Sequence, residues 1–295
     1  ILELNEADST VLAWTKLMAD IFDVNEISFL HIVHENELPP EHTSNLNRLM
    51  QILAREIDES IQQSGLFAKS PKPEVAIKLG VQKSSYIQKT IKEENIDLMV
   101  IGFNEDEKVP ELFNKSFIRS SLAKLLYVPE KAPSKIENIL IPNDFSRFSK
   151  MAMEQGTILA HKSEAMLSCL NVLIPPSHFF PYMIEDDKEI EKLKSSSLKK
   201  YQGFLKSSDK NIQQIPCGFI LASPENAGLK IYEHALEKEI DMIMVGSGTM
   251  GWIDKYFMND LAENIFSYDE RIPIMIIKGS KNYIDLWQDI KKHLV

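Results

Sequence analysis

The sequence predicts an α/β fold built as two tandem domains, each an open, mostly parallel, doubly wound sheet. Three observations predict it. Residues 87–102 (IQKTIKEENIDLMVIG) and 231–246 (IYEHALEKEIDMIMVG) align without a gap at an offset of 144, with Ile87/Ile231, Glu93/Glu237, Ile96/Ile240, Asp97/Asp241 and Gly102/Gly246 identical. Self-similarity at a fixed offset is sought first because it decides the architecture. In both copies an amphipathic helix leads through an acidic turn into a continuous apolar run ending at Gly, and such runs are strands covered on both faces, as in parallel sheets. The same alternation of helix and apolar strand recurs through each half, which argues for doubly wound sheets.

The elements follow in order. Val11 to Phe22 reads as a helix, with Leu12, Leu17, Met18 and Ile21 at helical spacing. Ile27 to Val33 is a strand, Leu46 to Gln62 a helix and Val75 to Leu79 a strand; the repeated helix and strand come next. In the second half Ile139 to Pro142 is a strand, Met151 to His161 a helix and Leu170 to Ile174 a strand. A long polar helix spans roughly Glu185 to Leu205; Phe219 to Leu221 and Ile274 to Ile277 are strands around the second copy of the repeat. Pro129-Glu130-Lys131-Ala132-Pro133-Ser134-Lys135 is the boundary, and its shortness makes the two sheets pack together. The domains are therefore 1–133, with a first strand reduced to Ile1–Leu4 and a start read as incomplete, and 134–279, followed by a C-terminal helix within 280–295.

Composition bounds the function. A chain of 295 residues with 44% hydrophobic and 26% charged residues buries its core without staples. Its 43 acidic residues against 33 basic ones give a net charge of -10, which disfavours nucleic acid and anionic membranes as partners. Two cysteines, Cys169 and Cys217, make no disulfide framework and fit a reducing compartment. They lie near the second and third strands of the second half, and two buried reduced thiols are the expected state. No apolar run is long enough to cross a bilayer and the start lacks the regions of a signal peptide, so a cytoplasmic protein is expected.

On these residues the chain resembles the tandem universal stress proteins. The markers are Ile139-Leu140-Ile141-Pro142-Asn143-Asp144-Phe145-Ser146, Ile240-Asp241-Met242-Ile243-Met244-Val245-Gly246-Ser247 and Ile272-Pro273-Ile274-Met275-Ile276-Ile277-Lys278, with Ile96–Gly102 and Leu125–Glu130 as their first-half counterparts. The resemblance implies Rossmann-like or flavodoxin-like domains of the adenine nucleotide alpha hydrolase kind, with five parallel strands each. It also implies pairing of the halves through their fifth strands, 124–128 and 273–277, as an internal dimer that leaves room for a further homodimer. An apolar strand at a sheet edge needs such a partner.

Members of that family that bind ATP carry G-x2-G-x9-G-[ST] after the fourth strand, where glycines admit phosphates and a helix N-terminus supplies N–H groups. An Asp after the first strand and a backbone group on the second hold adenosine. Here the resemblance maps the site onto Asp144, Val172, Gly246, Gly248, Thr249, Gly251, Asn259 and Asp260. Thr249 stands at the second Gly, and Asn259-Asp260 stand in place of Gly and Ser or Thr. Asp260-Leu261-Ala262-Glu263 reads as a helix cap, and its carboxylate repels a triphosphate: two unit charges 4 Å apart cost about 1 kcal/mol even in bulk water. A metal ion reverses that sign. In the first half Glu105, Asp106 and Glu107 follow Gly102 where phosphates would rest, and no counterpart of Asp144 is identified.

The expectation is therefore a non-catalytic stress-response protein acting through an unidentified protein partner, without a cofactor. ATP binding with Mg in the second half, with or without weak hydrolysis, is the alternative. Other constellations are weaker. His31 and His34, three apart, point to opposite faces of a strand and make no metal site. Phe179–Met183 and Trp252, Tyr256, Phe257 and Met258 are aromatic loop clusters that cover a sheet edge or contact a ligand or partner. Glu185 to Glu191 forms the acidic start of a helix. No nucleophile elbow, P-loop, zinc spacing or G-x-G-x-x-G is present.

Overall fold

The computed structural model describes residues 1–33, 46–68, 71–103, 112–175, 187–206, 208, 212–247 and 271–278. Seven helices and nine strands are assigned among them. In the first half these are α1 (Asp8–Phe22), β1 (Ser28–Val33), α2 (Leu46–Ser64), β2 (Glu74–Leu79), α3 (Lys83–Glu93), β3 (Leu98–Phe103), α4 (Lys115–Ser120) and β4 (Lys124–Pro129). In the second they are β5 (Asn138–Pro142), α5 (Arg147–Ser163), β6 (Met166–Leu173), α6 (Asp187–Lys206), β7 (Cys217–Leu221), α7 (Ala227–Glu237), β8 (Met242–Ser247) and β9 (Ile274–Lys278). The helix expected within 282–294 lies outside the described residues.

Seven strands form one sheet in the order β3-β4-β9-β8-β5-β6-β7. All neighbours are parallel except β4 and β9, which pair antiparallel with Leu125 opposite Ile276, Leu126 opposite Met275 and Tyr127 opposite Ile274. The expected fifth-strand pairing thus joins the two halves into one continuous sheet. Strands β1 and β2 form a separate parallel pair. Residues 1 and 2 thread between that pair and β3: the Leu2 N–H donates to Leu30 O (3.0 Å) and the Ile1 nitrogen to Val100 O (2.6 Å). Each half therefore has the same order, with the first strand position at the centre: β2-β1-(1–2)-β3-β4 and β7-β6-β5-β8-β9.

Burial explains why the strands are apolar along their whole length. Two cores lie on opposite faces, and both run across the β4–β9 junction. One packs Ile87 and Ile91 of α3, Phe117 and Ile118 of α4, and Ile231, Tyr232 and Ala235 of α7 over Tyr127, Ile274 and Ile276. The other packs α1, α2, α5 and α6, through Leu12, Trp14, Ile57, Met153, Tyr201 and Phe204, over Leu126, Met275 and Ile277. The proline-bounded linker does not hang free. Thr10 Oγ1 donates to Glu130 O (2.8 Å) and Trp14 Nε1 to Pro133 O (2.9 Å), laying it along α1.

Two element starts lie four residues before the periodicity reading. Helix α5 begins at Arg147 rather than Met151, because Ser146 caps it by accepting from Ser149 N (3.2 Å). Strand β6 begins at Met166 rather than Leu170; Met166 is exposed and Leu167 and Ser168 are half-buried, and Met166 N donates to Glu137 O (2.7 Å). The repeated Asp has a structural task in the second copy: Asp241 Oδ2 accepts the Glu137 and Asn138 N–H groups (2.9 and 2.8 Å), fixing the start of β5.

Candidate functional site

In an open α/β sheet ligands bind beyond the carboxyl ends of the strands where strand order reverses. In the second half that point lies between β5 and β8. Asp144 lies just past the end of β5 and Gly246 is the penultimate residue of β8, so the structure brings these two predicted residues together against the first turn of α5. Gly246 is required by packing: a Cβ there would lie 2.1 Å from Phe148 O. Gly102, its repeat partner, is pressed by α1 in the same way, a Cβ meeting Val11 Cγ2 at 2.4 Å.

Asp144 is engaged inside its own loop. Its Oδ1 accepts the Ser146 N–H (3.0 Å) and the Ser149 hydroxyl, while its N–H donates back to Ser149 Oγ (3.1 Å). Phe145 between them takes a left-handed backbone (φ +63°) and lays its ring near Tyr201 and Phe204 of α6, at 5.8 and 5.9 Å between centroids. Asn143 is fully buried and bends the chain, its Oδ1 accepting from Phe145 N (2.8 Å).

Val172 is buried on β6 opposite Ile220 of β7. Because Asn143 N donates to Leu170 O (2.8 Å), the backbone groups of Leu170, and of Val172 two residues on, turn toward β5. The chain leaves the sheet at Asp144, so Val172 looks onto an edge that β5 no longer covers. Asn171 next to it donates from Nδ2 to Asn143 O (2.7 Å), which fixes its amide, and its buried Oδ1 has no hydrogen-bond partner among the described residues. Sequence reading missed Asn171; a polar residue in the middle of an apolar strand was the available signal. The remaining predicted residues, Gly248, Thr249, Gly251, Asn259 and Asp260, lie outside the described residues, as do Glu105–Glu107, His34 and both aromatic loop clusters.

The first half repeats this loop, and the structure supplies the counterpart of Asp144 that the sequence did not reveal. Leu4 takes the left-handed backbone of Phe145 (φ +58°), and Asp23 that of Glu164 at the helix end, both at an offset of 141. Glu3 therefore stands at the Asp144 position and Asp8 at the Ser149 position. The hydrogen bonds agree: Glu3 N donates to Asp8 Oδ1 (3.0 Å) as Asp144 N does to Ser149. His31 stands at the Asn171 position, its Nδ1 2.9 Å from Leu2 O. It is buried.

The chemistry of the two sites differs. Lys83, at the start of α3, sends its ammonium to Glu3 Oε1 (2.5 Å), and both side chains are largely buried. Burial raises the Asp8 carboxyl above its usual pKa, against the lowering effect of the Glu3 and Leu4 N–H groups that it accepts. The first switch point is thus filled by an internal ion pair. Among the described residues no group of three or more His, Cys, Asp or Glu converges to hold a metal, and no helix is long and apolar enough to cross a membrane.

These features define a class: two Rossmann-like α/β domains on one sheet, joined through their fifth strands, with a helix N-terminus and a carboxylate at each switch point. Solved structures share the fold. A universal stress protein from Archaeoglobus fulgidus DSM 4304 superposes with a TM-score of 0.60 over 95% of both chains at 14% identity. A functionally unknown protein from Pseudomonas aeruginosa PAO1 does so with 0.57 over 95% of this chain and 92% of its own, also at 14% identity. No family model and no curated protein matches the sequence. The chain has the tandem universal stress protein fold.

Proposed function

We propose that the protein is a non-catalytic stress-response adaptor that works through protein contacts, its two nucleotide positions having become structural. One observation carries this reading: in both halves the carboxylate at the switch point is engaged by the protein itself, Asp144 by Ser146 and Ser149 and Glu3 by Lys83. Asp144 Oδ1 already accepts an N–H and a hydroxyl, so a ribose has to compete for that oxygen or take Oδ2 alone. A buried Lys–Glu pair must be broken, at a cost of about 3–5 kcal/mol. The stress role rests on likeness of fold, which is an analogy.

A second reading, ATP binding with Mg in the second half, draws support from the uncovered backbone edge at Val172 and the unpaired Asn171 Oδ1. A planar ring carrying both donors and acceptors would satisfy them. Mass spectrometry of small molecules released from freshly purified protein separates the two. The adaptor reading expects no stoichiometric adenine nucleotide and a melting temperature unmoved by millimolar Mg-ATP; stoichiometric ATP or ADP sinks it. Replacing Asp260 by Ser together with Asn259 by Gly restores affinity if charge and backbone approach are the obstacles.

A further inference from the structure

Away from the switch points, the chain's only two cysteines meet. Cys169 of β6 and Cys217 of β7 are register partners on neighbouring parallel strands, so their side chains leave the same face of the sheet. Cys217 Sγ lies 3.6 Å from Gly218 O, and both cysteines pack in one core with Tyr201 of α6, whose hydroxyl donates to Ile215 O (2.6 Å). Cys169 is buried beneath α6. Cys217 is half-buried beside the exposed Gly218, on the last strand of the sheet. A small reagent thus reaches the pair from the sheet edge.

The spacing selects the chemistry. Neighbouring strands lie about 4.7–4.9 Å apart, whereas a disulfide wants its Cβ atoms about 3.5–4.5 Å apart. A direct S–S bond therefore has to pull β6 and β7 together, while one atom inserted between the sulfurs does not. The neighbouring Cys169 and burial push the Cys217 thiol well above its ordinary pKa, so it remains a thiol at neutral pH and a poor target for peroxide. A soft centre displaces both thiol protons as it binds, so its affinity rises with pH.

We propose that Cys169 and Cys217 form a two-sulfur site for a soft thiophilic centre, either monovalent copper or a trivalent arsenical, bound between β6 and β7. With phenylarsine oxide each thiol gives up its proton, two As–S bonds form and the oxide oxygen leaves as water; arsenic stays trivalent. With copper two Cu–S bonds form, thiol protons are released and the metal stays monovalent. The site is independent of the nucleotide question, since neither Asp144 nor Lys83 takes part.

The test uses the full chain, reduced and folded, with phenylarsine oxide and, separately, Cu(I) buffered by a chelator. Expected is one phenylarsenic per chain by intact mass, released by a dithiol but not by a tenfold larger excess of monothiol. One Cu(I) should bind in competition with it. Both should be lost in Cys217→Ser and in Cys169→Ala variants whose circular dichroism matches the parent. Because a variant can fail to fold, affinity for phenylarsine oxide is also compared in the unaltered chain with and without urea; the folded pair should bind at least tenfold tighter. Two single adducts, binding that survives either substitution, copper that does not displace arsenic, or equal affinity in urea each overturn the proposal.

Discussion

Lys83 and Glu3 illustrate how much one side-chain pair decides. Glu3 is 80 residues from Lys83, and the pair is buried at the start of α3 where a related half carries Ala227. Removing one partner leaves an uncompensated charge, so Lys83→Met or Glu3→Gln alone should destabilise by about 3 kcal/mol, and the double variant by less than the sum. Chemical denaturation of the four proteins in the cycle measures this, and additive losses would remove the ion pair from the account of the first half. Gly246 makes a second residue-scale case. Gly246→Ala forces a methyl against the α5 backbone and should cost about 3 kcal/mol, more than Gly102→Ala, where the obstacle is a side-chain methyl. Thermal melts of the two variants rank them.

The β4 strand carries an element-scale consequence. Lys124, at its first residue, is buried and its pKa falls to about 7 because burial disfavours the ammonium, with Asp97 opposing. In the unfolded chain the same group titrates near about 10.4. Between these values the unfolded state binds the extra proton, so stability rises with pH through that window and is least below it. From pH 6.5 to 8.5 the gain from this group is about 2 kcal/mol. A Lys124→Met variant should lose that slope while the parent keeps it, as read from urea midpoints at the two pH values. Sequence periodicity could not foresee this, because a lysine at a strand start reads as a solvated end. Tertiary context buries it in the sheet, opposite Leu98 of β3. The late start assigned to α5 has a similar origin: a cap depends on where the chain turns, and Ser146 turns only because Asn143 bends the backbone with its own side chain.

At the scale of the molecule, the β4–β9 pairing makes one sheet of two halves, with both cores continuous across the junction. Leu126 and Met275 face each other there, fully buried. Leu126→Ala should cost about 2–5 kcal/mol and lower hydrogen-exchange protection in β3 and β8 together. Protection lost in β3 alone would mean that the halves unfold separately. The fold class and the strands that join the halves were legible, because continuous apolar runs are local properties of the chain. Of the site, Asp144, Val172 and Gly246 were legible through a short motif. What those residues do was not, since Gly246 is explained by a helix turn that presses on it from another element, and Asp144 by hydroxyl and N–H groups that reach it only once α5 has formed. Glu3, Lys83 and the Cys169–Cys217 pair became a site through register and packing alone. The sequence by itself determined that two α/β units would share an apolar scaffold, because burial of period and run length is written residue by residue. Only the tertiary structure decided that each switch point is occupied from within and that two thiols 48 residues apart are neighbours, because hydrogen bonds and ion pairs between distant segments depend on the geometry that folding creates.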